Sequence, residues 1–249
     1  MYQPLTKPYV LSIAGLDPTA GAGILADVKT ITATGGYGFA VATCLTAQTE
    51  DECFHVQWLP VKEITQQLKP LLENYPIDVT KLGAMKDLSM ATAIIDYVLS
   101  IKPDMKFVLD PILSTSSGKE FMKLNADIKT LLSKIYLLTP NYPEIQMLTE
   151  DQNALEAAMI LSMHTNVYLK GGHSNEPVLV DRLFVKGTMI EYPKERNPVA
   201  KKHGSGCVLS SALATYLAQG NTLQEASEKA SKYMCGFFSS SETKLGLHK

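Results

Sequence analysis

The sequence predicts a doubly wound α/β domain, a mostly parallel central sheet with helices on both faces. Three observations carry that prediction. Short apolar, β-branched runs alternate with longer stretches of helical period along nearly the whole chain. Several runs end in Gly15, Gly83, Asp110, Thr139 and Lys170, glycine or polar residues where the ligand crevice of such a sheet lies. No linker, low-complexity segment or repeat breaks the 249 residues, so 1–249 reads as a single domain.

The elements follow in order. Val10 to Ala14 is an apolar run closed by Gly15 and Asp17-Pro18, a buried strand. Ala22 to Thr34 carries Ile24, Val28 and Ile31 on one helical face, and Gly35-Gly36 stops it. Phe39 to Thr46 is β-branched and apolar, hence a strand, and Phe54 to Leu59 alternates like another. Val61 to Tyr75 has Ile64, Leu68 and Leu72 at helical spacing. Val79 to Gly83 is a strand, and Leu88 to Ile101 a helix with Ala91, Ile94, Ile95 and Val98 inward. Lys106 to Leu109 is a strand ending in Asp110-Pro111, and Leu124 to Ser133 is helical. Ile135 to Leu138 is a strand ending in Thr139-Pro140. Short helices follow after Asn141 and from Asn153 to Met163. Asn166 to Leu169 is a strand ending in Lys170-Gly171-Gly172. Val178 to Val185 and Thr188 to Tyr192 form a hairpin turning at Lys186-Gly187. Helices from Gly206 to Gln219 and Thr222 to Ser239 close the chain.

Composition narrows the function. Hydrophobic residues make up 45% and charged residues 19%, which excludes intrinsic disorder as the main state. The net charge of −2 gives no global basic field for nucleic acid. The cysteines at 44, 53, 207 and 235 form no C-x-x-C pair, and the five histidines show no zinc spacing. Reduced thiols in a cytoplasmic protein are the expectation. The apolar run from Tyr9 to Leu16 has only Lys7 before it and is broken by Asp17-Pro18, which argues against a secretory leader. Gly204 to Gln224 is too polar for a membrane span.

The most informative stretch is His203-Gly204-Ser205-Gly206-Cys207, just before an apolar helix. Glycines let successive N–H groups turn toward one point, and the helix N-terminus adds about half a positive charge, so the stretch suits an anion hole. Cys207 falls in the first helical turn, where a thiol has a lowered pKa and can take a proton. A glycine-rich cap with a packed cysteine reads equally well. Gly15 to Gly23, followed by Asp27, is neither a Walker A loop nor G-x-G-x-x-G. It is a strand-to-helix turn or a ligand loop, and Asp27 an exposed carboxylate or a ligand contact. Asp110 suits a metal or a phosphate-bound cation, or caps a turn. Asn141 and Glu144 lie one helical turn apart, facing a hydrated Mg²⁺ or forming a capping box. Lys170 before Gly171-Gly172 suits a phosphate tail, or is a surface lysine at a turn. Together, at one sheet edge, these groups fit phosphoryl transfer.

In this order the motifs resemble the ribokinase-like superfamily, and within it the hydroxymethylpyrimidine/phosphomethylpyrimidine kinases of thiamine synthesis. The resembling stretches are Ile13 to Thr30, Leu45 to Thr49, Lys81-Leu82-Gly83, Leu109-Asp110-Pro111, Leu138 to Asn141 with Glu144, Lys170 to His173, and His203 to Cys207. The resemblance implies an ATP- and Mg²⁺-dependent kinase with two steps, alcohol to monophosphate and monophosphate to diphosphate. It implies that Gly15, Asp27 and Gln48 hold the pyrimidine, with Gly83 and Met85 in the same pocket. It makes Cys207 the general base and the amides of Gly204, Ser205, Gly206 and Cys207 the phosphoryl hole. Lys170, Asp110, Thr139 and Asn141 fall to ATP, and Glu144 and Asp110 to the metal. A homodimer follows by analogy. The sequence departs from the family in Ser205, where threonine is usual, and in Ala84, where methionine is usual. Asp181 to His203 is short, and no adenine contact is assigned. The rival reading is a pyridoxal or pyridoxine kinase. A pyrimidine-binding regulator without turnover comes behind it, and an oxidoreductase, which lacks its fingerprint, behind that.

Overall fold

A computed structural model describes residues 6–113, 128–149, 153–173, 179–194 and 202–249. Its elements run β1 (Tyr9–Leu16), α1 (Gly23–Ala33), β2 (Tyr37–Gln48), β3 (Cys53–Trp58), α2 (Val61–Asn74), β4 (Ile77–Leu82), α3 (Leu88–Ile101) and β5 (Lys106–Leu109). Next come α4 (Ile128–Leu132), β6 (Leu137–Leu138), α5 (Tyr142–Thr149), α6 (Ala154–Leu161) and β7 (Asn166–Leu169). The chain ends with β8 (Leu179–Val185), β9 (Thr188–Lys194), α7 (Ser205–Ala218) and α8 (Leu223–Phe238). The strands make one sheet in the order β3-β2-β1-β4-β5-β6-β7-β8-β9. From β2 through β7 its neighbours are parallel, and β3, β8 and β9 are added antiparallel at the edges.

Strand parity explains the layers. Neighbouring side chains on a strand point to opposite faces. Val10, Val79, Val108, Leu137 and Tyr168 face one way, into a core with Ile31 of α1, Val208 and Leu213 of α7 and Met234 of α8. Leu11, Ile13, Phe107, Leu109 and Leu169 face the other way, against Ile64 and Leu68 of α2 and Ile94 and Ile95 of α3. Both faces are dry, which is why these strands read as continuous apolar runs.

The sheet grows outward in two directions from β1, which pairs with β2 on one side and β4 on the other. This reversal of strand order opens a crevice above the carboxyl ends of β1 and β4. The first helix after β1 and the N-terminus of α7 both reach it.

Some boundaries differ from the sequence expectation. Strand β2 continues past Thr46 to Gln48, because Leu45 to Gln48 pair with β3, out to Cys53. Helix α6 stops at Leu161, with Met163 beyond it largely exposed. The expected helix from Leu124 is described only as Ile128–Leu132, and its first residues lie outside the described residues. The turn at Lys186-Gly187 is as expected, with φ of 47° and 78°.

Candidate active site

The site is built where two loops meet over β1 and β4. Gly15, near the end of β1, has no room for a side chain, since a Cβ there would sit 2.7 Å from Cys44 Sγ. The loop that follows winds around the Asp17 carboxylate, which accepts hydrogen bonds from the Thr19 and Ala22 backbone N–H groups at 2.8 and 2.9 Å. His203 Nε2 joins them at 2.8 Å. Gln48 also hydrogen-bonds Asp17. Burial alone would raise this carboxyl, but the hydrogen bonds from His203, Thr19 and Gln48 outweigh it and hold its pKa at about 2.

The opposing loop is the N-terminus of α7. Gly204 caps it with φ of 69°, in the left-handed region. A Cβ at Gly204 would lie 2.1 Å from the Gly21 carbonyl oxygen, so both the conformation and the close approach demand glycine. Ser205, Gly206 and Cys207 form the first turn. A Cβ on Gly206 would stand 3.3 Å from both Asp110 Oδ2 and Lys170 Nζ. The expected anion hole, the acid and the lysine therefore do converge, from α7, β5 and β7.

Lys170 is not a free cation. Its ammonium donates to Asp110 Oδ1 at 2.8 Å and pairs with Glu144 Oε2 at 3.4 Å. Burial would lower its pKa, but the two carboxylates raise it well above the usual range. Burial and the nearby Asp110 push Glu144 up, against the pull of Lys170. Glu144 and Asn141 also form the capping box on α5: Asn141 N donates to Glu144 Oε2 at 2.7 Å and Glu144 N to Asn141 Oδ1 at 2.8 Å. Two carboxylates on one ammonium leave surplus acceptor capacity. That fits a hydrated Mg²⁺ carried in on nucleotide phosphates, which needs only one or two carboxylates. Among the described residues no group of three or more His, Cys, Asp or Glu could hold a metal ion.

At four positions the structure departs from the sequence expectation. Asp27 does not line the cleft. It is fully buried, paired with Lys81 Nζ at 2.8 and 3.0 Å, and accepts hydrogen bonds from Ser12 Oγ and Ser211 Oγ at 2.5 and 2.8 Å. Both carboxylate oxygens are engaged, which leaves it as the anchor of a buried ion pair. Met85 is fully buried in the apolar core beneath the sheet edge. Thr139 is likewise buried, its hydroxyl donating to the Leu109 carbonyl at 3.2 Å. Cys207 sits where expected, but its thiol is pushed up to about 12, not lowered. Burial is the main cause, and the Asp27 and Asp110 charges add to it. The Lys81 ammonium and a hydrogen bond from the Gly23 N–H pull the other way and lose.

Gly83 and Gly15 stand at the strand ends as expected, and Gln48 is the last residue of the longer β2. A Cβ at Gly83 would lie 2.8 Å from Lys81 Nζ. Sequence reasoning missed Lys81 and the pair Asp17–His203. Lys81 left one signal, a lysine inside the apolar strand Val79 to Leu82, where only a buried partner makes a charge tolerable.

Fold and site together define a ribokinase-like α/β protein. The chain belongs to the phosphomethylpyrimidine kinase family, whose model matches residues 17–248. It is 35% identical over 242 residues to the "Thiamine biosynthesis bifunctional protein ThiED" of Geobacter sulfurreducens, covering 93% of this chain and 49% of that protein. The chain thus spans about half the length of that relative. Its fold superposes with a TM-score of 0.79 and 31% identity on the crystal structure of phosphomethylpyrimidine kinase from Clostridium difficile 630, over 92% of this chain and 98% of that one. The pyridoxal kinase of Staphylococcus aureus in complex with AMP-PCP and pyridoxal gives a TM-score of 0.82 at 27% identity, over 94% and 89% of the two chains.

Proposed function

We propose that this chain is an ATP-dependent kinase that phosphorylates 4-amino-5-hydroxymethyl-2-methylpyrimidine and then its monophosphate, the two steps that supply the pyrimidine diphosphate for thiamine synthesis. One observation carries the reading: the N-terminus of α7 opens onto Asp110 and Lys170, so preorganised N–H donors and a lysine meet at one point. Family membership supplies the substrate class. The pyrimidine lies over Gly15 and Gly83 with Gln48 at its edge, an amide that both donates and accepts, as an aminopyrimidine requires.

In the transfer step the substrate oxygen attacks the γ-phosphorus in line while the bond to the ADP oxygen breaks. The amides of Gly204 to Cys207 hold the equatorial oxygens, and Lys170 meets the nucleotide phosphates after exchanging its carboxylates for them. Cys207 takes the hydroxyl proton in the first step. Asp110 and Glu144 would hold a Mg²⁺ brought in with the nucleotide, and the ion would supply neutralisation of phosphate charge. Asn141 holds Glu144 in place through the capping box. The protein acts in the cytoplasm on small molecules, as a homodimer, which sedimentation at micromolar concentration checks.

The pyridoxal kinase likeness keeps vitamin B6 alcohols as the second reading. A coupled ADP-release assay compares hydroxymethylpyrimidine, its monophosphate, pyridoxal and pyridoxine by kcat/KM. Turnover of both pyrimidines well above the B6 compounds is expected. A preference for pyridoxal overturns the thiamine assignment and leaves the catalytic apparatus standing.

A further inference from the structure

Asp17 lies outside the roles assigned above, yet three segments of the chain meet on its carboxylate. It is 1% exposed. Its own loop binds it through Thr19 and Ala22, the tip of β2 through Gln48, and the segment entering α7 through His203. His203 is the residue before Gly204, and its backbone N–H is fixed in turn by the Lys244 carbonyl at 2.9 Å. On either side of this link the two loops touch again: the Gly21 carbonyl abuts Gly204, and the Gly23 N–H reaches the Cys207 sulfur.

We propose that Asp17 is a positioning residue, which through His203 locks the phosphate hole of α7 in register with the substrate loop after β1. The inference rests on the kinase reading for its catalytic consequence but not for its geometry. Hole donors act only when held about 2.7–3.1 Å from the position where the charge develops. The hole belongs to α7 and the substrate floor to β1 and β4, with the crevice between them. A carboxylate carrying a full charge is the group that binds an imidazole N–H and two backbone N–H groups at once. Its negative charge faces His203 from α7's lead-in, with Lys244 of the C-terminal segment joined to the same segment through backbone only.

The test uses Asp17→Asn and His203→Gln, each alone and together, in the full chain. Asn keeps the shape of Asp17 and loses the charge. Each single variant is expected to lower kcat about 10- to 10³-fold with the ATP KM within about threefold, as a displaced hole does. The double variant is expected to lose little more than either single one, because both break one link. A second readout needs no substrate: the iodoacetamide alkylation rate at Cys207, followed by mass spectrometry of its peptide. It is expected to rise about tenfold or more in each variant once the Gly23 contact slackens, and to stay at the wild-type rate in Thr222→Ala, which weakens only the cap of α8. Additive kcat losses, or Cys207 alkylation unchanged in Asp17→Asn, overturn the proposal. Should the wild type turn over none of the four substrates, the kinase reading falls, and the alkylation arm still decides the link. Should Asp17→Asn not fold, His203→Gln decides it on both readouts.

Discussion

At the residue scale the sharpest departure from expectation is the Cys207 thiol. A helix N-terminus lowers a thiol pKa by its partial positive charge. Here that effect is overcome by burial and by two carboxylates, Asp27 and Asp110, and the value stands at about 12. At pH 7 the group is a thiol, so a thiolate base is a minor species whose population grows about tenfold per pH unit. Accordingly, kcat/KM for the alcohol, which reports the free enzyme, is expected to climb about tenfold per unit from pH 7 to pH 10 without a plateau. Cys207→Ser is expected to flatten that slope and lower kcat roughly 10²–10⁴-fold. A flat wild-type profile, or an unchanged kcat in the serine variant, removes Cys207 from the base role. The same residue shows the limit of reading a sequence locally. Its position in the first turn of α7 was legible from two glycines and an apolar run, but its acidity is set by side chains far away in sequence. Asp27 shows it again. Its carboxylate was legible as a candidate, and its partners were not: Lys81 stands 54 positions away and Ser211 184.

At the element scale, local signals translated well where a backbone rule was at work. Gly35 was read as a stop and Gly187 as a turn, and both have positive φ, as has Gly220 just after α7. Asn141 and Glu144 left two readings open, and the structure realises the capping box while also bringing Glu144 to Lys170. What the sequence did not show was that two positive-φ glycines differ in kind. Gly220 has open space where a Cβ would go, whereas Gly204 meets the Gly21 carbonyl at 2.1 Å. Gly220→Ala is therefore expected to lose only the left-handed penalty, about 1–2 kcal/mol. Gly204→Ala adds a backbone clash and is expected to lose about 2–5 kcal/mol, together with most of the activity. Urea unfolding midpoints of the two variants measure the difference, and equal losses would show that the α7 N-terminus is free to move away from the substrate loop.

At the scale of the whole molecule, the strand rhythm was enough to place the sheet and the crevice, because parallel strands buried on both faces leave an unmistakable apolar period. The order of the strands was not in that period. It is the reversal at β1 that makes Gly15 and Gly83 neighbours, and the return of the chain at α7 that closes the site with its C-terminal third. A site assembled from both ends of the chain ties ligand binding to global stability. A ligand that binds only the folded state at 100 times its Kd adds about 2.7 kcal/mol. For a chain of this size that corresponds to a rise in Tm of roughly 5–10 °C. ADP with Mg²⁺ and the hydroxymethylpyrimidine are each expected to produce such a shift on their own, and Lys170→Ala is expected to abolish the nucleotide shift while leaving the pyrimidine shift in place. That separation follows from the proposed division of the crevice: Lys170, held by Asp110 and Glu144, is assigned to the nucleotide, whereas Gly15, Gln48 and Gly83 are assigned to the pyrimidine. Loss of both shifts in Lys170→Ala would mean that the two walls are one binding unit, and that the pyrimidine is gripped by the phosphate end of the crevice.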